Sequence, residues 1–255
     1  MALVYGERVL QKDMQGPDVV ELQIRLAGFR GTLPDGDFGS GTELQVQKFQ
    51  TDVMKMSSPT RIVDHDTYLA IDAFAKRYPL DFAQLKCPCG QCGGFGRGQF
   101  KDTYVPGGEG QEQFNHYEYP GIHRLILWAA RAVFHYLPEH RFVFSSGYRC
   151  EIDNRLHKRT TTNHRGKAID LDIPLRPGES KRDDADKCNA VRGKIVEVSN
   201  AQVGWAAKNR KALEPADIAP TWVHYDVREY ERKFLGDEFF CKDLAGLDRF
   251  TPIKV

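Results

Sequence analysis

Thr162-Asn-His-Arg-Gly-Lys-Ala-Ile-Asp-Leu-Asp-Ile173 decides the fold. Its first half is polar and carries a glycine, which suits a turn. Its second half alternates apolar and acidic residues from Ile169 to Ile173, the period of two that a half-buried strand requires. Working outward, Arg141-Phe-Val-Phe-Ser-Ser146 is short, aromatic and β-branched, and Trp222-Val-His-Tyr-Asp-Val227 alternates again, so both read as strands. A helix is expected from Pro120 through Leu125, Trp128, Ala129, Ala132, Val133 and Tyr136, ending before Pro138, and another near Asn189 to Ser199. This mixture predicts an α+β domain over residues 116–255, with a mainly antiparallel sheet and flanking helices.

Residues 1–78 read as a separate small three-helix domain. Gly16-Pro17-Asp18 looks like a helix start with Asp18 as its N-cap, and Val19, Leu22, Gln23 and Leu26 recur at helical spacing before Gly28. Pro34-Asp-Gly-Asp-Phe-Gly39 supplies turn residues. Thr42 then opens a second helix with Leu44, Val46, Phe49 and Val53 on one side, and a third begins near Asp64. Residues 79–115 hold clustered cysteines and glycines and read as a linker or loop-rich lead-in.

The turn and strands also bring metal chemistry into view. A catalytic zinc takes three protein ligands and leaves a position for water. His164 sits in the turn, Asp170 in the strand after it, and His224 and Asp226 share one face of the 222–227 strand. If the two strands are neighbours, three ligands converge. His116, His123, His135, His140 and His157 lack such context and read as surface or packing residues, with His157 and His65 as possible groove linings.

The bulk properties exclude other classes. Lys plus Arg number 36 against 35 Asp plus Glu, leaving no broad positive field to draw the chain onto nucleic acid. No run of about 18 apolar residues suggests a membrane span, and the start has no secretory pattern. Six cysteines are present. Cys87-Pro-Cys-Gly-Gln-Cys92 could hold a structural zinc, form disulfides or stay reduced; disulfides are the leading expectation, ahead of a structural metal, since no matching second cluster is visible.

Two resemblances sharpen this reading. GPDVVELQIRLAGF followed by DGDFGSGTELQVQKFQ resembles the three-helix peptidoglycan-binding domain appended to many cell-wall hydrolases. Ser145-Ser-Gly-Tyr-Arg149, then His164 with Gly166-Lys-Ala-Ile-Asp170, then Trp222-Val-His-Tyr-Asp226, resemble in order and spacing the M15 zinc peptidases, which share their metal fold with the hedgehog signalling domain. The resemblance implies a D-Ala-D-Ala carboxypeptidase or an L,D- or D,D-endopeptidase acting on bacterial peptidoglycan. It makes His164, Asp170 and His224 the Zn2+ ligands, with Asp172 as the alternative to Asp170. Arg149 becomes the cation that holds a carboxylate or steadies an oxyanion, while Tyr148 and Trp222 flank the substrate. Many members place an acid three residues before the last histidine, where this chain has Thr221, so Asp226 and Asp217 are the candidates for general base.

The substrate lies in the periplasm or cell wall, and without a signal the expected delivery is by lysis with a holin, in a phage particle, or through a secretion machinery. Two other readings stand beside the peptidase: a non-catalytic wall-binding module with a structural zinc, and a metal-free glycosidase that needs two positioned carboxylates.

Overall fold

The computed structural model describes residues 4–98, 117–159, 163–204 and 207–248. Thr162, His116 and the part of the lead-in from 99 to 115 lie outside them. Helix α1 spans Pro17–Arg25, α2 Ser40–Asp52 and α3 His65–Arg77. Gly16, not Asp18, stands at the N-cap of α1. Pro17 has its φ already fixed for the first helical position, which leaves Asp18 a residue too late to cap. Asp18 instead takes a salt bridge from Arg8 at 2.6 Å. Asp64 does cap α3, accepting from the Thr67 amide at 2.9 Å.

Buried glutamines fix the turns between these helices. Gln23 donates to Asp35 Oδ1 at 2.8 Å and to the Asp37 carbonyl at 3.0 Å, while its own oxygen accepts from the Gly36 amide at 2.9 Å. The 34–39 turn, with Gly36 at φ +80°, is therefore pinned to α1 through side-chain amides that no water reaches. Gln50 does the same for the chain before α3, donating to the Ile62 carbonyl and accepting from the Arg61 amide, both at 2.9 Å.

The remaining elements form an α+β arrangement. Two short strands, β1 (Ile122–His123) and β7 (Phe240–Cys241), pair antiparallel. Helix α4 (Arg124–Tyr136) follows β1 at once, so it starts later than Pro120 would suggest, with His123 as its N-cap. A five-stranded sheet runs in the order β2 (Val143–Ser146), β3 (Ala168–Asp172), β6 (Val223–Asp226), β5 (Ala212–Leu213), β4 (Gln202–Val203). All neighbours are antiparallel except β5 and β4. Helix α5 (Glu151–Leu156) lies between β2 and β3, α6 (Lys181–Ser199) between β3 and β4, and α7 (Leu244–Asp248) follows β7. Helix α6 begins two turns before Asn189, because Ser180 and Asp183 form a reciprocal capping box ahead of a charged first turn that carries no apolar period.

The three N-terminal helices pack directly on α4, whose residues from Arg124 to Val133 are all buried. Gly28 lies so close to α4 that an added Cβ would stand 2.1 Å from the Ala132 Cβ. Glu21 receives Arg124 at 2.6 Å and Arg25 at 2.8 Å. A contiguous apolar core runs from Leu22 and Phe49 through Trp128 to Val191 and Tyr225. Among the described residues no helix is long and apolar enough to cross a membrane.

Candidate metal centre

Strand register places the centre. Asp170 of β3 stands opposite His224 of β6 on one side and Ser146 of β2 on the other. Residues directly opposite in an antiparallel pair share a face, so Asp170 and His224 meet. His164 arrives from the turn before β3. Gly166 closes that turn at φ +117°, where a Cβ would stand 2.5 Å from the Gly121 carbonyl oxygen, so only glycine fits.

The donor atoms of His164, Asp170 and His224 lie within 4.8 Å of one another and all three residues are buried. His164 Nε2 is 3.3 Å and His224 Nδ1 2.7 Å from the same oxygen, Asp170 Oδ1. The outer nitrogen of each ring has its own partner. His164 Nδ1 donates to the Gly147 carbonyl at 2.7 Å, which fixes the ring and leaves Nε2 as the nitrogen turned to the centre. His224 Nε2 is 2.9 Å from Asp226 Oδ2, and Arg228 holds that carboxylate through its backbone amide at 3.0 Å and its Nε at 2.6 Å.

These contacts set the electrostatics. Burial works against charge on His224, but the hydrogen bonds to Asp170 and Asp226 outweigh it and push the imidazolium up to about 9. Burial lowers His164, with Asp170 opposing it only in part. Burial would raise Asp170, yet the two histidines hold its carboxyl far below the usual range. Asp172 shifts upward, chiefly through burial and then through Asp184 and Asp170.

The residues fit a zinc ion. Bonds of about 2.0–2.2 Å to nitrogen and oxygen in a tetrahedron set donors about 3.3–3.6 Å apart; His164 Nε2 stands at 3.3 Å from Asp170 Oδ1, and His224 Nδ1, hydrogen-bonded to the same oxygen at 2.7 Å, would move outward by roughly half an ångström to share an ion. Both histidines also have an outer hydrogen-bond partner of the kind that orients metal ligands.

The centre forms one wall of a cleft of about 500 Å3, also lined by Ser145, Ser146, Arg149, Asp172, Glu214, Thr221 and Trp222. Arg149 donates from Nη2 to Asp170 Oδ2 at 2.9 Å and from Nε to Ser146 Oγ at 2.7 Å. Asp172 lies on the cleft but outside the group of three donors. Three other expected site residues stand elsewhere. Tyr148 is fully buried with its hydroxyl on the Tyr119 carbonyl, because Gly147 packs against the Leu85 backbone and turns the next side chain inward. Asp226 is also fully buried, behind His224. Asp217 is exposed on the loop after β5 and does not line the cleft.

A carboxylate that sequence reasoning passed over does line it. Glu214 follows β5, and its amide donates to the His224 carbonyl at 3.3 Å, so the two side chains are cross-strand neighbours. Its Oε1 is 4.0 Å from His224 Nε2 and 3.1 Å from Arg228 Nη2. Of the remaining histidines, His123 is wholly buried and stacked on Phe239, and His135 packs among Phe74 and Tyr78. His157 pairs with Asp153 at 3.1 Å, and His65 is exposed at the start of α3.

Residues 15–74 match the family model described as "Putative peptidoglycan binding domain", a span that takes in α1, α2, their glutamine-pinned turns and all but the last three residues of α3. No curated protein matches the chain. The N-terminal helices therefore form a peptidoglycan-binding domain, and the chain carries it packed against the α+β unit that holds the metal-competent centre.

Proposed function

We propose that the protein is a zinc-dependent peptidase that hydrolyses a peptide bond in the stem or cross-link of bacterial peptidoglycan. The observation that carries this reading is the convergence of His164 Nε2 and His224 Nδ1 on Asp170 Oδ1, with both outer ring nitrogens engaged, at the wall of an open cleft. The wall-binding domain supplies the substrate class, and the resemblance of the 145–149, 164–170 and 222–226 words to M15 peptidases supports the reaction type.

In this reading His164, Asp170 and His224 hold the ion. When bound, zinc acidifies a water and polarises the scissile carbonyl as a Lewis acid. The chain's own residues do the rest. Asp226 orients His224 and keeps its Nδ1 lone pair aimed at the centre. Arg149 presents a rigid guanidinium at the cleft wall, able to hold a terminal carboxylate or the oxygen on which negative charge develops. Glu214, steadied by Arg228, accepts a proton in the cleft and returns it to the leaving amine. Trp222 offers an apolar wall for the peptide.

The test is incubation of the purified protein with bacterial peptidoglycan, with and without a chelator and with zinc added back, followed by mass spectrometry of released fragments. New stem-peptide termini that vanish with chelator and return with zinc are expected. Tightly held zinc without any cleavage would favour a non-catalytic wall-binding protein. Chelator-resistant release of sugar-bond products would replace the metal reading with a two-carboxylate glycosidase.

A further inference from the structure

The geometry points to a second metal site, formed by Cys87, Cys89, Cys92 and Cys150, that takes a structural zinc ion through four thiolates. The sulfurs lie within 4.8 Å of one another, with Cys89 and Cys150 at 3.5 Å. A disulfide needs about 2.05 Å, whereas a tetrahedral zinc with bonds of about 2.3 Å sets four thiolates about 3.8 Å apart. The observed spread matches the metal and not the covalent bond. Cys87, Cys89, Cys92 and Cys150 form no disulfide, and the chemistry proposed above uses none of them.

The backbone is shaped around this point. The Cys87 amide donates to the Gly94 carbonyl at 2.7 Å and closes the loop. Gly90 at φ +69° and Gly93 at φ +70° let the chain reverse between the cysteines, which an L-side chain would resist. The amide of Gln91 donates to Cys89 Sγ and that of Cys150 to Cys87 Sγ, each at 3.4 Å. Amide donors of this kind stabilise coordinated thiolate. Four thiolates on a divalent ion leave two negative charges, and Arg97 stands at the rim with its Nη2 on the Gln91 carbonyl at 2.7 Å. Soft sulfur donors in a tetrahedron select zinc or iron over magnesium or calcium. Four protein ligands leave no open position, which makes the site structural.

Its place in the fold gives it a purpose. Cys150 directly follows Arg149, so the ion would tie the 87–94 loop to the segment that presents Arg149 to the cleft. The same segment is already joined to the lead-in through Tyr148 N–H on the Leu85 carbonyl at 2.8 Å, and its Gly147 carbonyl holds His164. The clamp therefore positions both a ligand and the guanidinium while touching neither.

The deciding experiment uses the full chain with His164→Ala and His224→Ala, which removes the other centre and leaves the cysteines intact. This variant, purified with Zn2+, is expected to retain one zinc per chain by elemental analysis, and after exchange with Co2+ to show a thiolate-to-cobalt charge-transfer band. Cys89→Ser with Cys92→Ser is expected to abolish that band. Because the serine variant can fail to fold, the histidine variant carries the decision. A histidine variant free of metal, a cobalt spectrum without thiolate character, or an intact mass showing the cysteines joined as disulfides would each overturn the assignment.

Discussion

Glu214 faces His224 across the β5–β6 pair, its Oε1 4.0 Å from His224 Nε2, on the wall of the cleft that holds the three metal-competent donors. A carboxylate there reaches the cleft without displacing any ligand. Glu214→Gln keeps the shape and removes the proton acceptor of the proposed reaction, so the proposed hydrolysis of peptidoglycan is expected to fall by roughly 10²–10⁴, the usual worth of a positioned acid–base group. Bound zinc, measured by elemental analysis, should not change. Asp217→Asn, on an exposed loop, should leave turnover within a factor of about two. The reverse ranking would return the base to Asp217.

Asp226 has a different task. It is fully buried, shared between His224 and Arg228, and has no face on the cleft. Asp226→Asn weakens the partner that fixes the His224 ring, and a loss of about 10–100-fold in zinc affinity is expected, as for other outer partners of metal ligands. Competition with a chromophoric chelator measures it. With zinc saturating, most of the activity should return, which separates a positioning role from proton transfer.

These roles show where the sequence was legible. The alternating words at 169–173 and 222–227 carried the strands, and the pairing of those strands, which the words left open, brings Asp170 to His224. Local words could not reveal what arises across strands. Glu214 lies ten positions before His224 and reaches it only through the β5–β6 register. Cys150 likewise lies far along the chain from Cys92 and completes the cysteine group only once Gly147 packs on Leu85. The burial of Tyr148 follows from the same contact. In the N-terminal domain, by contrast, glutamines and turn residues act within a few tens of positions, and the pattern could be read directly.

In the metal-free protein His224 keeps its proton up to about 9, held between Asp170 and Asp226. Zinc must displace that proton, since a ligating imidazole offers a lone pair. Lowering the pH strengthens the competitor, so apparent zinc affinity should fall about tenfold per unit below pH 9 and level off above it. Calorimetric titration at pH 7 in buffers of different ionisation enthalpy should report release of about one proton per ion at this site, measured in the Cys89→Ser/Cys92→Ser background. Pairing of His224 with the two carboxylates also stabilises the metal-free fold, fully below the ordinary histidine value of 6.5 and progressively less as pH rises through 9. An affinity independent of pH between 6 and 8 would contradict the arrangement.

The packing of the peptidoglycan-binding helices on α4 predicts that the two halves depend on each other. Gly28 has no room for a methyl group against Ala132 and the Ala129 backbone. Gly28→Ala is therefore expected to cost about 1–3 kcal/mol through overpacking, read as a lower midpoint in denaturant. Removing residues 1–78 would expose α4 together with Arg124, which then loses Glu21. That fragment should precipitate or unfold at temperatures where the full chain is stable. A soluble fragment with an unchanged midpoint would show that the contact contributes nothing.

Lys211 tests the same contact by pH. Its ammonium group is buried, donates to the Ala27 carbonyl at 2.9 Å, and is pushed down by burial from the ordinary 10.5 to about 7. A lysine whose folded value is depressed costs stability wherever the unfolded chain carries the proton. The cost is full below pH 7, shrinks as pH rises from 7 to 10.5, and vanishes above that. Its upper limit is about 5 kcal/mol. Lys211→Met removes that cost and leaves the Ala27 carbonyl without its donor, a loss of about 1–3 kcal/mol that does not depend on pH. The variant should therefore be more stable than the parent at pH 6 and less stable at pH 10, with the crossing between. Unfolding in urea at the two pH values measures both signs, and a variant destabilised equally at each would mean that Lys211 folds with its charge fully compensated.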